Sequence, residues 1–375
     1  MAPGAALQVP ANDFVRQWAD IRDHALEAVD RVGRSGWLIL GEEVRAFEQE
    51  LAAWWGVPHA VGVASGLDAL EIGLRCCELP PGSRVLTTPL TAFATTLAII
   101  RAGCEPAWCD VDDSGGLDLE QAAQALSADR TIRAVMPVHL YGHPLDPAGL
   151  RALADDYAVT VVEDCAQSLG AERDGLPTGG TGAVAGTSLY PTKNLGALGD
   201  GGVLLTADES IAAHARCLRD YGQHARYEHV EVGLNSRLDE LHAGILRSAH
   251  LPRLEGWLSR RREIAASYSS GLEGCSLRPI SPSGGQSAYH LFPVEVTEGT
   301  IGRAAEELAQ RGVAVGRHYP FVCPEQQAVA GLGVRLGALP VARRIAEREL
   351  SLPIHPYLDD AEVDHVIASC RAVFG

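Results

Sequence analysis

Short runs rich in β-branched and small apolar residues recur through the first two thirds of the chain. They lie at Ala60–Val63, Arg84–Thr87, Pro106–Val111, Ile132–Val138, Val159–Val162, Gly186–Tyr190 and Val203–Thr206, and each reads as a buried strand. Helical periodicity lies between many of them: Val44, Phe47, Leu51 and Trp54 fall on one face ahead of a stop at Gly56. Strands alternating with helices predict an α/β fold with a mostly parallel central sheet covered by helices. In such a sheet ligands sit beyond the C-terminal ends of the strands, so the loop after each run is where chemistry is sought.

The texture changes near Ser236. RLDELHAGILRSAH reads as a long helix ending near Pro252, followed by a second helix carrying Arg260, Arg261 and Arg262, a basic run expected to be a solvated face. Strands over Tyr289–Val296 and Val313–Gly316 and helices over 300–311 and 359–373 complete an α+β pattern. The expected division is a large α/β domain over residues 1–250 and a smaller α+β domain over 251–375.

Composition narrows the partners. With 31 Lys+Arg against 48 Asp+Glu, the formal charge is −17, which argues against a nucleic-acid or anionic-membrane surface. No apolar segment approaches the ~20 residues of a membrane span, and MAPGAALQVPANDF lacks the features of a secretory signal. Nine cysteines without a C-x-x-C pair suit reduced, mostly buried thiols and a cytoplasmic setting. HLYGH (139–143) spaces two histidines as a helix would to bind metal, but Gly142 and Pro144 oppose the helix, and no metal site is expected.

Two glycine patterns fail on context. GTGAVA, from Gly180, fits the dinucleotide fingerprint but follows a loop and leads into a strand, and GTSLYPTK lacks the second glycine of a phosphate loop. Three other segments share an expected strand edge. In VGVASGLDAL a strand meets Ser65, Gly66 and a helix start, which suits a bound phosphate or, equally, a Ser65/Asp68 capping box. VTVVEDCAQSLGA ends a strand at Glu163 and Asp164, and a carboxylate there can keep a heterocyclic nitrogen protonated. SLYPTKNLGALGDGG places Lys193 just after another strand, where desolvation would favour the neutral, nucleophilic amine. Lysine, carboxylate and phosphate-ready helix end are the fixtures that pyridoxal phosphate requires.

SGLDAL, TPLTAFATT, VMPVHLYGHPLD, VVEDCAQSLGA, SLYPTKNLGALGDGG and GLNSRLDELHAGIL together resemble the signatures of the DegT/DnrJ/EryC1/StrS family of nucleotide-sugar aminotransferases, and the likeness runs from SGWLILGEEV to LSLPIHPYL. The resemblance implies a fold-type I, aspartate-aminotransferase-like architecture with pyridoxal 5'-phosphate on Lys193 and pyridoxamine 5'-phosphate as the intermediate form. It further implies Asp164 at the pyridine nitrogen, Gln167 near the phenolic oxygen, Phe93 stacked on the ring, and Ser65, Gly66 and Ser188 at the phosphate. Asn235 would reach the phosphate of the neighbouring subunit in a homodimer with shared active sites. The implied reaction moves the amino group of glutamate to C3 or C4 of a nucleotide-activated, dTDP-linked keto-deoxysugar, as in antibiotic deoxyaminosugar biosynthesis. An aminocyclitol acceptor, or a regulatory protein that holds the cofactor without turnover, are the alternatives; a dehydrating relative would carry histidine at the lysine position. Leu67 stands where threonine is frequent in the family, Thr91 where an aromatic is frequent, and FVCPEQQ follows HYP in place of the common HLQ pattern.

Overall fold

The computed structural model describes residues 7–375; the first six residues of the N-terminal stretch lie outside them. Seven strands build the central sheet: β1 (His59–Val63), β2 (Arg84–Thr87), β3 (Glu105–Trp108), β4 (Ile132–Met136), β5 (Thr160–Asp164), β6 (Val184–Ser188) and β7 (Gly202–Thr206). A two-residue strand, Val334–Arg335, adds to the edge beside β3. The spatial order is β1-β7-β6-β5-β4-β2-β3 followed by that short edge strand, and β7 alone runs against both of its neighbours. The C-terminal ends of β1, β2, β4, β5 and β6 therefore share one edge.

Helices α1 (Phe14–Ser35), α2 (Glu42–Trp55), α3 (Gly66–Cys76) and α4 (Phe93–Arg101) come first in the chain, then α5 (Leu119–Ala128), α6 (Pro147–Tyr157) and α7 (Glu209–Leu218). Local signals explain their ends. Asp118 and Asp146 cap α5 and α6 through their carboxylates, and Gly36 and Gly56 close α1 and α2 in the left-handed region that suits glycine. On α2, Val44, Phe47 and Leu51 face the core as expected, whereas Trp55 rather than Trp54 is the buried indole and donates to Thr178 O at 2.7 Å.

The expected helix from Arg237 is shorter and broken: α8 covers Glu240–Ile245, a π turn follows over Leu246–His250, and a short 3₁₀ segment over Leu251–Arg253 accommodates Pro252 before α9 (Leu254–Gly271). Beyond it, β8 (Leu277–Pro279), β9 (Phe292–Val296) and β10 (Glu349–Leu352) form an antiparallel sheet, with α9, α10 (Ile301–Gln310) and α12 (Asp360–Phe374) around it; α11 (Pro340–Arg348) leads into β10. Val313–Gly316 makes only single bridges, Val9 to Val313 and Gly316 to Ser351. Val9 is buried in the core of this smaller unit, so the N-terminal segment crosses to it.

The basic run on α9 is not a solvated face. Three consecutive helical residues point about 100° apart. Arg261 accordingly turns inward at 4% exposure and donates to Ile354 O at 2.6 Å and His290 O at 3.3 Å, while Arg262 donates to Gly170 O and Arg260 to Leu358 O, both at 2.8 Å. All three guanidinium groups fasten α9 to backbone carbonyls of other segments.

Candidate active site

Residues 163 and 164 lie next to each other in β5 and so face opposite sides of the sheet. Glu163 faces away from the lysine loop and is saturated, accepting from Gly179 N (3.0 Å), Thr181 N (2.8 Å), Gly182 N (2.7 Å) and His139 Nε2 (2.9 Å). Leu145 N donates to His139 Nδ1 at 3.1 Å, so the imidazole proton sits on Nε2 and points at the carboxylate. Burial pushes Glu163 up, but the bond from His139 and the backbone donors leave it below its ordinary value. Gly179, Thr181 and Gly182, the last two within GTGAVA, thus form a structural anion loop that enters β6. His143, the second histidine of HLYGH, is used elsewhere, by Ser287 Oγ and Ile280 O.

Asp164 faces the site and is 4% exposed. Thr95 Oγ1, on α4, donates to its Oδ2 at 2.8 Å and Ala166 N to its Oδ1 at 3.0 Å; Thr91 in turn lies 3.0 Å from Thr95 through the hydroxyls. Burial raises Asp164 above the usual carboxylate range, and the donors and the nearby Lys193 only partly oppose it. A buried carboxylate held this way is poised for a cationic partner.

Lys193 sits in the turn after β6, its N–H bonded to Tyr190 O at 2.8 Å. Burial lowers its amine to about 8, against an opposing pull from Asp164. Its Nζ lies 3.5 Å from His290 Nε2. His290 is itself buried and held neutral by burial, Lys193 and Arg261 together.

Of the residues expected at the phosphate, Ser65, Gly66 and Ser188 do converge. A Cβ on Gly66 would stand 2.7 Å from Ser188 Cβ, and one on Gly202 would stand 2.2 Å from Ser65 O, so both glycines are required for this close approach. Ser65 Oγ accepts from Asp68 N at 3.1 Å, but the reciprocal half of a capping box is absent: Asp68 instead accepts from Ser236 Oγ at 2.8 Å and lies 3.3 Å from Arg101. Phe93 heads α4 two residues before Thr95 and packs near Trp108 and Cys323. Gln167 is buried, accepts from Tyr141 N at 2.7 Å, and donates to Tyr319 Oη at 3.1 Å. Asn235 is exposed, its backbone bridging Asp220, and does not join the others within one chain.

Sequence reasoning missed several members of this site. Thr95 lies inside TAFATT and His318 and Tyr319 inside HYP, both quoted for their likeness alone. His290, Glu349 and Ser351 carry no local signal, since nothing in their own segments tells that β9 and β10 bring them to the lysine.

A model of the DegT/DnrJ/EryC1/StrS aminotransferase family matches residues 19–371. The dTDP-3-amino-3,4,6-trideoxy-alpha-D-glucose transaminase of Streptomyces venezuelae is 39% identical over 367 residues, covering 97% of this chain and 96% of that one. The UDP-N-acetyl-3-dehydro-alpha-D-glucosamine 3-aminotransferase of Acidithiobacillus ferrooxidans is 37% identical, covering 97% of each. A crystal structure of S. venezuelae DesV in complex with a ketimine intermediate superposes with a TM-score of 0.93 at 38% identity, covering 97% of this chain and 98% of that one.

Proposed function

The chain belongs to the DegT/DnrJ/EryC1/StrS aminotransferase family, and from that premise we propose that it uses pyridoxal phosphate to move the amino group of glutamate to a keto group of a nucleotide-activated deoxysugar. The observation that carries this reading is Lys193, a half-buried residue whose amine is lowered to about 8 by desolvation, within electrostatic reach of the buried carboxylate of Asp164. No helix of the described residues is long and apolar enough to cross a membrane. Nine free thiols support a cytoplasmic setting.

The residues fit the cofactor. The glycine-tight junction of Ser65, Gly66 and Ser188 at the N-terminus of α3 offers backbone N–H groups and the helix dipole to a phosphate. Pyridoxal phosphate, when bound, supplies an aldehyde that takes up amino groups and a ring that withdraws electrons. Lys193 Nζ would hold the aldehyde at rest and, once free, would be the base placed to take and return a proton at the donor carbon. Asp164, steadied by Thr95 and Ala166 N, would keep a ring nitrogen protonated, and that positive charge would act on the carboxylate in the same sense as Lys193 does already. Gln167 and Phe93 would help to hold the ring.

A homodimer with shared sites is supported by an apolar patch beside the lysine loop. Trp37, Leu38, Ile39, Tyr190, Leu198 and Leu241 are exposed, Trp37 by 62%. The segments carrying Trp37 to Ile39, Leu198 and Leu241 are drawn together because Ile39 bridges Asp239 and Gly199 approaches the ring of His242. An exposed apolar patch of this kind supports an interface there, and the exposure of Asn235 is consistent with its reaching a neighbouring subunit's phosphate.

The test is borohydride reduction of the protein incubated with pyridoxal phosphate, followed by peptide mapping. A label on Lys193 alone, with 2-oxoglutarate released from glutamate by the unreduced protein, is the expected result. A label elsewhere would overturn the site, and cofactor binding without turnover would favour a regulatory role. Incubating the pyridoxamine form with a series of keto-sugar nucleotides, with mass spectrometry of the products, identifies the acceptor.

A further inference from the structure

A cavity of ≈ 210 Å³ lies between the N-terminal segment and the smaller unit, lined by Asn12, Thr192, His290, His318 and Ser351 among others. Thr192 and His290 place it next to Lys193. Behind its wall runs a chain of hydrogen bonds that the mechanism above does not use. His318 Nδ1 lies 2.8 Å from Ser351 Oγ, Ser351 Oγ bonds Glu349 Oε1, and the backbone N–H of His318 donates to Glu349 Oε2 at 2.7 Å. Glu349 is 1% exposed and Ser351 4%.

The donors and acceptors of this chain determine the tautomer. An ionised Glu349 can only accept, so Ser351 gives its proton to Oε1 and must accept from His318 Nδ1–H. Nε2 is then left with a lone pair, on a ring that lines the cavity. A proton that reaches Nε2 need not remain on the ring: Nδ1 passes its proton to Ser351 Oγ, and Ser351 passes its own to Oε1. The imidazole is neutral before and after. One N–H bond has been made at Nε2, and one O–H bond at Glu349.

We propose that His318, Ser351 and Glu349 form a proton relay that removes the ammonium proton of the incoming amino donor through His318 Nε2 and stores it on Glu349. The proposal rests on the reading of the site given above. An amino acid arrives as an ammonium and has no lone pair for attack until a base takes one proton. His318 alone is a poor base, because burial and then Lys193 lower it to about 4. Glu349 is a much better store: burial pushes it up to about 7, against the bonds from Ser351 and His318 N and the charge of Arg317. The other groups around it do not supply a competing counter-charge. Tyr141 and Tyr319 are both raised and stay neutral, with Tyr141 Oη donating to His318 O at 2.7 Å. Glu295, its register partner on β9, is paired with Arg278 and Arg344. Lys193 lies beyond His318.

The relay is open when Glu349 is ionised, so its function is present above about pH 7 and is lost below it. Nitrogen-15 NMR of histidine in the cofactor-free protein reads the tautomer directly, with the His318 signal assigned by its loss in His318→Asn. The expected result is Nδ1–H at pH 8, changing to Nε2–H as pH falls through about 7. In Glu349→Gln the amide oxygen must serve the His318 N–H, leaving the NH₂ to donate to Ser351; Ser351 then donates to Nδ1, and the ring is locked as Nε2–H at every pH. Ser351→Ala, a second and smaller change, abolishes the pH dependence of the tautomer. In the loaded enzyme, single-turnover reaction with glutamate at pH 8 falls on the order of 10²-fold in either variant, while borohydride labelling of Lys193 is unchanged.

A wild-type tautomer that does not move between pH 6 and 8 overturns the relay, as does a wild-type donor rate in both variants. Failure of wild-type Lys193 to take the label overturns instead the reading of the site, which the cofactor-free tautomer measurement does not depend on.

Discussion

Replacing Glu163 by glutamine tests whether the carboxylate beside the site residue is purely a structural anchor. The four donors aimed at it divide evenly: Oε1 accepts Thr181 N and Gly182 N, and Oε2 accepts His139 Nε2 and Gly179 N. A glutamine oxygen serves one pair, and its NH₂ then meets two further N–H donors. His139 cannot escape by changing tautomer, because its Nδ1 accepts from Leu145 N at 3.1 Å. Two buried donors left unpaired cost about 1–3 kcal/mol each. The expected loss is therefore roughly 2–6 kcal/mol, a large share of the roughly 5–15 kcal/mol of a folded chain. Urea unfolding reads the total, and hydrogen exchange at Gly179, Thr181 and Gly182 reads it locally. The pH dependence has a defined sign. Glu163 is below its ordinary 4.5 when folded, so its contribution is complete above that value and is lost as pH falls through the folded value; Glu163→Gln removes this part of the acid slope. Folded variant should still take the borohydride label at Lys193. A stability change under about 1 kcal/mol, or unchanged exchange in the 179–182 loop, would refute the anchoring argument.

Lys193→Ala should leave the fold intact and abolish both transamination and the visible absorbance of the bound cofactor, checked by circular dichroism and spectrophotometry. Because burial lowers Lys193 to about 8, the rate at which cofactor-free protein combines with pyridoxal phosphate should rise between pH 7 and 9 and then level off; a flat stopped-flow profile would contradict a buried amine. Asp164→Asn should retain the cofactor but slow the single-turnover reaction with glutamate on the order of 10²–10³-fold, and an unchanged rate would take Asp164 out of its role. Mixing Asn235→Ala with Lys193→Ala chains should rebuild one complete site per hybrid dimer and restore roughly a quarter of the wild-type rate at equal mixing; no recovery would place Asn235 within its own subunit's site, and full activity of Asn235→Ala alone would take it out of catalysis.

Much of the fold was legible because strand and helix periods are properties of the local chain. The runs that became β1 to β7 were readable, with their ends displaced by a few residues, because a buried strand needs an unbroken apolar run wherever it lies. The strand-end positions of Asp164 and Lys193 were readable for the same reason. The arginine run on α9 was misread because charge alone does not tell which way a helix face turns; only the packing of α9 against Ile354 and His290 shows that Arg261 is buried. The crossing of α1 to α8 carried no local mark, and the π turn at Leu246–His250 interrupts what reads as one continuous period.

The amino-acid sequence by itself determined the alternation of strands and helices and the strand ends at which Asp164 and Lys193 stand. Each of these is set by residues within a few positions of one another along the chain. Only the tertiary structure decided that Glu163 and Asp164 serve opposite faces, that Thr95 steadies one and a glycine loop the other, and that Glu349, Ser351 and His318 line up beside Lys193. Those contacts join segments from separate parts of the chain, and their hydrogen bonds and altered proton affinities exist only once folding has removed the water between them.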